Sequence, residues 1–217
     1  MIFSDRPSAG RKLAQRFTYL KNKDAVVLGL PRGGVPVAFE VAKEINASLD
    51  VIVVRKLGVP SQPELAMGAV GEGGVVIKND QIVQMAGITA DQFAIAQARE
   101  GKEVAERATR FREGRSPTSL VGRLAIIVDD GIATGSTALA ACDVARALGA
   151  KRVILAVPVG SREAVGALTA KADEVICLDI PDNFFAVGEW YEDFAPISDK
   201  EVIELLRKSH KWIGNFS

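Results

Sequence analysis

The sequence predicts an α/β protein built on an open, mostly parallel, doubly wound sheet. Short apolar runs alternate with longer segments of helical periodicity along the 217 residues. The apolar runs are continuous, as is typical of parallel strands that are covered by helices on both faces. Because 48% of the residues are hydrophobic, the chain can bury a sizeable core. We therefore expect a single domain over residues 1–217, with right-handed crossovers between its strands.

The first part of the chain contains two predicted helices and two predicted strands. Apolar residues recur at helical spacing in residues 6–20 and 35–45, which predicts a helix in each segment. Continuous apolar runs predict buried strands over residues 25–30 and 50–54. This order is that of a strand–helix–strand unit, in which the two strands are parallel.

The pattern changes between residues 55 and 79. Glycine, proline and β-branched residues dominate this segment, and Glu72-Gly-Gly74 is typical of a hairpin turn between two apolar pairs. We expect a flexible loop, followed by two short antiparallel strands over residues 69–70 and 75–77. The whole segment would then form a small flap beside the parallel sheet.

Strand–helix alternation resumes in the second half of the chain. A Thr89-x-x-Gln92 capping box opens a long charged helix over residues 89–112. Strands and helices then follow in turn, with strands over residues 124–128, 152–159 and 174–178, and helices over residues 137–148, 161–172 and 199–208. Residues 179–196 are irregular and rich in aromatic side chains.

Composition excludes several classes of function. Lysine plus arginine and aspartate plus glutamate both number 27, so the net charge is zero and favours neither nucleic acid nor an acidic membrane surface. No apolar run approaches the roughly 20 residues of a membrane span, and the first residues are too polar for a signal peptide. Cys142 and Cys177 have apolar neighbours and are expected to be free thiols in a reducing cytoplasm. The single histidine, His210, lies in a lysine-rich segment, which argues against a histidine-based catalytic triad.

Two adjacent carboxylates, Asp129 and Asp130, end the strand over residues 124–128 and precede a loop of small and hydroxyl residues. A helix follows this loop, and its first N–H groups have no partner within the helix, so the site favours a phosphate. The two carboxylates suit sugar hydroxyls or a magnesium ion, although they could instead cap the turn. No lysine follows Gly135, so the loop is not a P-loop.

Two basic motifs also follow predicted strands. Arg32 is followed by Gly33 and Gly34, which makes a positively charged stretch of exposed backbone suited to a diphosphate. Arg55 and Lys56 follow the second strand. The first motif could simply be a tight turn from strand to helix, and the second could be a solvated basic pair.

The segment VDDGIATGST, residues 128–137, resembles the phosphoribosyl diphosphate (PRPP) signature of type I phosphoribosyltransferases. The resemblance implies a fold of the type I phosphoribosyltransferase kind, with a small antiparallel hairpin flap and a C-terminal hood. It implies that Asp129 and Asp130 hold the ribose hydroxyls and bind Mg²⁺. It further implies a 5′-phosphate site made of Ala133, Thr134, Gly135, Ser136 and Thr137.

Other segments match the same family. The resemblance implies a diphosphate loop made of Leu30, Arg32, Gly33 and Gly34, with Lys56 as a further cation. Residues 58–69 correspond to the flexible loop that closes over the site in that family. Residues 179–196 correspond to the hood, and the residues that the resemblance assigns to the base are Phe184, Phe185, Val187 and Trp190. The catalytic residues expected on this basis are Asp129, Asp130, Arg32 and Lys56.

The implied activity is Mg²⁺-dependent transfer of a phosphoribosyl group from PRPP to a purine or pyrimidine base, as in nucleotide salvage. A homodimer without membrane or nucleic-acid partners is the family expectation. Ala133 stands where hypoxanthine–guanine enzymes carry an aspartate, which argues against that assignment and leaves the base open. Two alternatives stay open: a PRPP- or nucleotide-binding regulator without turnover, and a hydrolase that uses the Asp pair.

Overall fold

The computed structural model describes residues 1–213, with side chains through residue 210. Two sheets organise the chain. The larger sheet has five parallel strands in the order β2-β1-β6-β7-β8. These strands are β1 (Ala25–Gly29), β2 (Ser48–Val51), β6 (Leu124–Val128), β7 (Arg152–Val159) and β8 (Glu174–Asp179). The smaller sheet is antiparallel and consists of β3 (Val54–Val59), β4 (Gln62–Gly71) and β5 (Val76–Lys78).

Seven α-helices are described around the two sheets. They are α1 (Arg6–Ala14), α2 (Gly34–Ile45), α3 (Asp80–Met85), α4 (Ala90–Arg112), α5 (Ser136–Ala147), α6 (Arg162–Leu168) and α7 (Asp199–Ile213). Short 3₁₀ helices cover Gln15–Leu20, Glu72–Gly74 and Val187–Trp190. The prediction of an open, mostly parallel α/β sheet with a small antiparallel flap is therefore confirmed.

Helices cover both faces of the parallel sheet. Successive side chains of a strand point to opposite faces, so Val27 of β1 packs into one core cluster while Val26 and Leu28 pack into the other. The first cluster includes residues of α1, α2, α4 and α7, and the second includes residues of α5 and α6. Burial on both faces explains why these strands are continuous apolar runs in the sequence.

Several predicted boundaries are wrong. The helix expected over residues 6–20 ends at Ala14 and continues as a 3₁₀ helix, and the helix expected to reach residue 172 ends at Leu168. The strand expected over residues 50–54 is two strands, because β2 ends at Val51 and Val54 begins the smaller sheet. The short helix α3 was not predicted.

The segment over residues 55–79 is more regular than predicted. Arg55 and Lys56 do not end the second strand of the parallel sheet but lie within β3. Most of the loop expected over residues 58–69 is a hairpin of β3 and β4, in which Leu57 pairs with Gly68 and Val59 pairs with Gln62. Glycine and proline hide these strands in the sequence, because pairing with a neighbouring strand outweighs their low β-propensity.

A buried ion network joins the smaller sheet to the larger one. Arg112, the last residue of α4, donates to Asp50 of β2 at 2.8 Å and to Glu72 of the hairpin turn at 2.6 Å. Its other terminal nitrogen donates to the carbonyl of Val51 at 2.9 Å. Glu72 also accepts from the backbone N–H of Val53 at 2.7 Å. The network therefore ties the hairpin turn and α4 to the edge of the parallel sheet.

The cysteine prediction agrees with the structure, in which Cys142 and Cys177 are both free. Burial raises the pKa of Cys142 to about 12 and that of Cys177 to about 11, so both thiols stay protonated at neutral pH. His210 is exposed. Among the described residues, none of the helices combines the length and the apolar character that crossing a membrane requires.

Candidate functional site

The predicted site residues converge on the carboxyl ends of β1 and β6. These two strands are neighbours, and the order of the parallel strands reverses between them. Ligands in open α/β sheets bind at such a switch point, because the loops leaving the two strands diverge to opposite faces and open a crevice. The loop after β1, here called the basic loop, carries Arg32, Gly33 and Gly34. The loop after β6 begins with Asp129 and Asp130, here called the acid pair.

The two loops are in direct contact. The backbone N–H of Leu30 donates to the carbonyl of Val128 at 2.9 Å, and its carbonyl accepts from Gly34 at 3.0 Å. The side chain of Leu30 is buried, so this residue anchors the loop rather than exposing a binding group. The Pro31–Arg32 peptide bond is cis, a feature that the sequence alone did not reveal.

Gly33 and Gly34 leave room for the acid pair. A Cβ atom at Gly33 would lie 2.0 Å from a carboxylate oxygen of Asp130. A Cβ atom at Gly34 would lie 2.5 Å from the carbonyl of Val128 and 2.8 Å from the Cα of Asp129. No side chain larger than glycine fits either position without movement of the acid pair or of the loop. The structure thus brings together the basic loop and the carboxylates that the sequence identified separately.

Asp130 is held from two directions. The Nε of Arg6 donates to its carboxylate at 2.7 Å, and the hydroxyl of Tyr191 donates to its backbone carbonyl at 2.5 Å. Burial and the charge of Asp130 raise the pKa of Tyr191, so its hydroxyl stays protonated and remains a donor.

Asp129 lies in a different environment from its neighbour. Its carboxylate accepts from the backbone N–H of Asp130 at 2.9 Å. Burial and the adjacent charge of Asp130 raise the pKa of Asp129 well above its ordinary value. Two adjacent carboxyl groups that share one cation, Arg6, resist simultaneous ionisation.

The loop over residues 131–135 forms an anion site at the start of α5. Ile132 bridges Gly160 beyond the end of β7, and the hydroxyl of Ser161 donates to the carbonyl of Ala133 at 2.7 Å. Gly135 precedes the helix at a φ of 75° and provides no side-chain cap. The first N–H groups of α5 are therefore available to a ligand, and the hydroxyls of Thr134 and Ser136, 3.4 Å apart, flank them.

A cavity of about 800 Å³ opens beside these loops. Pro31 and Thr137 belong to the two predicted phosphate-binding loops, and both line it. Lys56 lines it from β3, and its Nζ lies 3.9 Å from an exposed carboxylate of Glu64. Arg32 is exposed at the start of the next helix, 3.7 Å from Asp199. Lys56 thus shares this cavity with one residue of each loop, whereas Arg32, the two aspartates and residues 131–136 do not line it.

Helix α4 adds cations that the sequence did not indicate. Arg99 and Arg107 line the same cavity as Arg55. Arg55 and Arg99 each donate to Glu100 through Nε at 2.9 Å. Burial alone would raise the pKa of Glu100, but these two hydrogen bonds outweigh it and hold the pKa below its ordinary value. Burial and the charge of Arg55 lower the pKa of Arg107. Positive charges gathered around a cavity favour an anionic ligand.

The predicted hood covers the other end of the acid-pair loop. Val187 lies over Gly131, where a Cβ atom would be 2.5 Å from its side chain. The rings of Phe184 and Trp190 are parallel within 5°, with centroids 6.5 Å apart. Within the described residues, the buried indole nitrogen of Trp190 has no hydrogen-bond partner. Phe185 is 82% exposed. Of the four predicted base-binding residues, three therefore pack together and Phe185 projects into solvent.

Arg6 and Tyr191 are site residues that sequence reasoning missed. Arg6 and Asp130 are 124 positions apart in the chain, and Tyr191 follows Asp130 by 61 positions. No local pattern marks either residue, because an arginine at the start of a helix and a tyrosine in an aromatic segment are both common. Only the folded chain places them beside the acid pair.

The acid pair is the candidate donor set for a divalent cation. Residues 1–210 contain no cluster of three or more histidine, cysteine, aspartate or glutamate side chains that could hold a metal ion. Magnesium ordinarily binds proteins through one or two carboxylates and takes its remaining ligands from water and substrate phosphates. Asp129 and Asp130 fit that smaller requirement.

The fold and the site define a doubly wound α/β protein with an anion-suited crevice at its switch point. The sequence profile of the phosphoribosyl transferase domain matches residues 7–193, and the chain belongs to this family. The family resemblance of the acid-pair loop is thereby confirmed.

Relatives support the same assignment. Two Mycobacterium tuberculosis proteins, "Putative phosphoribosyl transferase MT0597" of strain CDC 1551 and "Putative phosphoribosyl transferase Rv0571c" of strain H37Rv, are each 55% identical over 210 residues. The match covers 97% of this chain but 47% of each relative, so the chain spans about half the length of these curated relatives. The crystal structure of TT1426 from Thermus thermophilus is 43% identical, with a TM-score of 0.88, and the match covers 96% of this chain and 99% of that one.

Proposed function

We propose that the protein transfers a phosphoribosyl group from PRPP to a nitrogenous base and releases diphosphate. The observation that carries this proposal is the contact between the acid pair and the glycines of the basic loop, beside the uncapped start of α5. A ribose with phosphates at both ends requires hydroxyl-binding carboxylates flanked by two anion sites. Family membership and the printed names of the relatives support phosphoribosyl transfer.

Each end of PRPP has a proposed place. The 5′-phosphate would lie at the start of α5, where residues 133–137 offer backbone N–H groups and hydroxyls. Asp129 and Asp130 would accept hydrogen bonds from the ribose hydroxyls. The diphosphate would face the loop carrying Arg32, with Lys56 and the arginines of α4 around the cavity.

The reaction needs no protein nucleophile. A ring nitrogen of the base would attack C1 of the ribose as the bond to diphosphate breaks, through an oxocarbenium-like state. The acid pair would offset positive charge on the ribose, and the cations would stabilise the departing diphosphate. Mg²⁺, held by Asp129, Asp130 and the substrate phosphates, would supply further neutralisation of the diphosphate.

The hood is the proposed place of the base. Phe184 and Trp190 offer aromatic faces, and stacking on an aromatic side chain contributes roughly 1–3 kcal/mol per base and tolerates different bases. The indole nitrogen of Trp190 is a donor without a partner among the described residues. Homodimer formation remains part of the proposal, as does the absence of membrane and nucleic-acid partners.

The decisive experiment replaces both carboxylates of the acid pair. PRPP binding in the presence of Mg²⁺ is measured by calorimetry for the wild type and for Asp129→Asn/Asp130→Asn. The double variant is expected to fold, by circular dichroism, and to lose PRPP binding. A matched control, Asp24→Asn/Asp80→Asn, changes two exposed carboxylates outside the site and should bind as the wild type does. Wild-type affinity in the first variant would defeat the assignment.

A second measurement separates an enzyme from a sensor. Diphosphate release is followed with PRPP and a panel of purine and pyrimidine bases. Turnover with any base establishes transfer, whereas binding without turnover supports a PRPP-dependent regulator. Release of phosphate from PRPP without a base would instead indicate a hydrolase.

A further inference from the structure

Arg6 connects three parts of the molecule through one side chain. It is the first residue of α1. Its Nε donates to the carboxylate of Asp130 at 2.7 Å, and its Nη1 donates to the backbone carbonyl of Ala195, in the hood, at 2.8 Å. Its guanidinium carbon lies 3.9 Å from the ring centroid of Phe194, another hood residue. The acid pair and the hood therefore share a single cation that comes from the N-terminal helix.

The ion pair is buried, and its geometry is tightly constrained. The side chains of Arg6 and Asp130 are 8% and 13% exposed. An arginine that donates from two separate nitrogens while stacked on an aromatic ring has little rotational freedom. Removal of one partner from a buried pair leaves the other charge without compensation, and that charge then moves toward water or attracts a proton.

The hood and the N-terminal segment are also joined through their backbones. The N–H of Phe3 donates to the carbonyl of Trp190 at 2.8 Å, and the N–H of Glu192 donates to the carbonyl of Phe3 at 2.8 Å. Tyr191, between these two hood residues, donates to the backbone carbonyl of Asp130. The position of the Asp130 backbone is thus defined by the hood, and that of its carboxylate is defined by Arg6.

The oxygen that accepts from Arg6, Oδ2, also faces Gly33, whose absent Cβ would lie 2.0 Å from it. One oxygen of Asp130 is therefore held by Arg6 and lies against the basic loop. Within the described residues, Arg6 is the one cation that forms an ion pair with this carboxylate, so loss of Arg6 removes the side-chain contact that fixes its rotation.

We propose that Arg6 is a positioning residue that orients the carboxylate of Asp130 toward the ribose and links the acid pair to the hood. This inference rests on the proposed function, since it assigns the ribose of PRPP to Asp130. It implies a selective effect. Ligands that reach the acid pair depend on Arg6, whereas an anion held only at the start of α5 does not.

The test compares Arg6→Met, Arg6→Lys and a control, Arg11→Met. Arg11 lies on the same helix, but its side chain is 59% exposed and its ion pair with Glu40 is long, at 3.8 Å. Loss of such a weak surface pair should leave the site unchanged. PRPP affinity is measured by calorimetry with Mg²⁺. Affinity for inorganic phosphate, a probe of the anion sites that do not need the acid pair, is measured by ³¹P NMR titration.

Arg6→Met is expected to weaken PRPP binding by at least about tenfold and to leave phosphate binding within about twofold. Arg6→Lys keeps the positive charge, but lysine has a single nitrogen and cannot reach both Asp130 and Ala195 as arginine does. Its PRPP affinity should therefore fall by about three- to tenfold. If Arg6→Met does not fold, the PRPP affinity of Arg6→Lys alone tests the inference. PRPP affinity within about twofold of the wild type in a folded Arg6 variant overturns the inference. Parallel loss of PRPP and phosphate binding also overturns it, because that result indicates a general structural role.

Hydrogen exchange separates this inference from the proposed function. In Arg6→Lys without ligand, backbone exchange should rise in residues 128–136 and 186–196 together, while α4 is unchanged. Changes confined to α1 would overturn the link between the acid pair and the hood. If the wild type binds phosphate but not PRPP, the proposed function fails, and the exchange result still decides whether Arg6 holds the two segments together.

Discussion

Gly33→Ala is a sharp test of the contact on which the site is built. The backbone at Gly33 has φ −62° and ψ −33°, values that alanine adopts without strain. Any effect of the substitution must therefore come from the added methyl group. That group would lie 2.0 Å from a carboxylate oxygen of Asp130, where an ordinary contact begins near 3.4 Å, so the carboxylate or the loop must retreat by about 1.4 Å.

The displacement should cost both binding and stability. Arg6 donates at 2.7 Å to the same carboxylate oxygen, so a displacement of this size would disturb that ion pair. A shift of about 1 Å in a substrate-positioning group can slow a reaction about 100-fold, and we expect a loss of similar size, about 2.8 kcal/mol, in PRPP binding. Overpacking of this kind typically costs about 1–3 kcal/mol of folding free energy.

Two assays check the prediction. Calorimetric titration with PRPP and Mg²⁺ measures binding, and urea denaturation measures the free energy of unfolding. The control is Gly166→Ala, since Gly166 lies in α6 with no heavy atom within 4 Å of its added Cβ, and alanine should stabilise that helix by up to about 1 kcal/mol without changing binding. A folded Gly33→Ala protein that binds PRPP within about threefold of the wild type would refute the reasoning.

Two further predictions concern stability. Arg112→Met leaves two buried carboxylates without their cation and should lower the free energy of unfolding by about 3–5 kcal/mol in urea denaturation. Arg110→Met, at an exposed pair, should cost under about 1 kcal/mol, and equal losses would contradict the role of burial. Arg55 and Arg99 hold the pKa of Glu100 below the ordinary 4.5. The ion pairs of Glu100 therefore stabilise the fold above that pH, and this stabilisation is lost as the pH falls through the lowered pKa. Glu100→Gln should therefore be less stable than the wild type at pH 7, by about 1 kcal/mol, and this difference should shrink as the pH falls below 4.5; a difference that grows in acid would contradict this sign.

Much of the parallel sheet was predictable because its signals are local. The strand over residues 124–128 and the strand over residues 152–159 have the predicted bounds, and α4 begins after the predicted Thr89 capping box. Strands buried on both faces are continuous apolar runs, and a capping box needs only four neighbouring residues. Such patterns predict structure from residues that are only a few positions apart in the chain.

The smaller sheet and the bounds of β2 were not predictable in the same way. Gly58 and Gly68 lie in paired strands although glycine has low β-propensity. Their pairing is made with the neighbouring strand, and the buried contact of Arg112 with Glu72, 40 positions away in the chain, anchors the end of β4. Local composition therefore favoured a loop where tertiary contacts stabilise a hairpin.

By itself, the sequence determined the α/β class, the acid pair at a strand end, the small-residue loop before a helix and the basic glycine loop, because each depends on neighbouring residues. The tertiary structure alone decided that Asp130 rests against Gly33 and that Arg6 and Tyr191 hold it. The physical reason is distance along the chain. Hydrogen bonds and van der Waals contacts act over a few ångströms, and only the packing of α1, the hood and the parallel sheet brings these distant residues within that range.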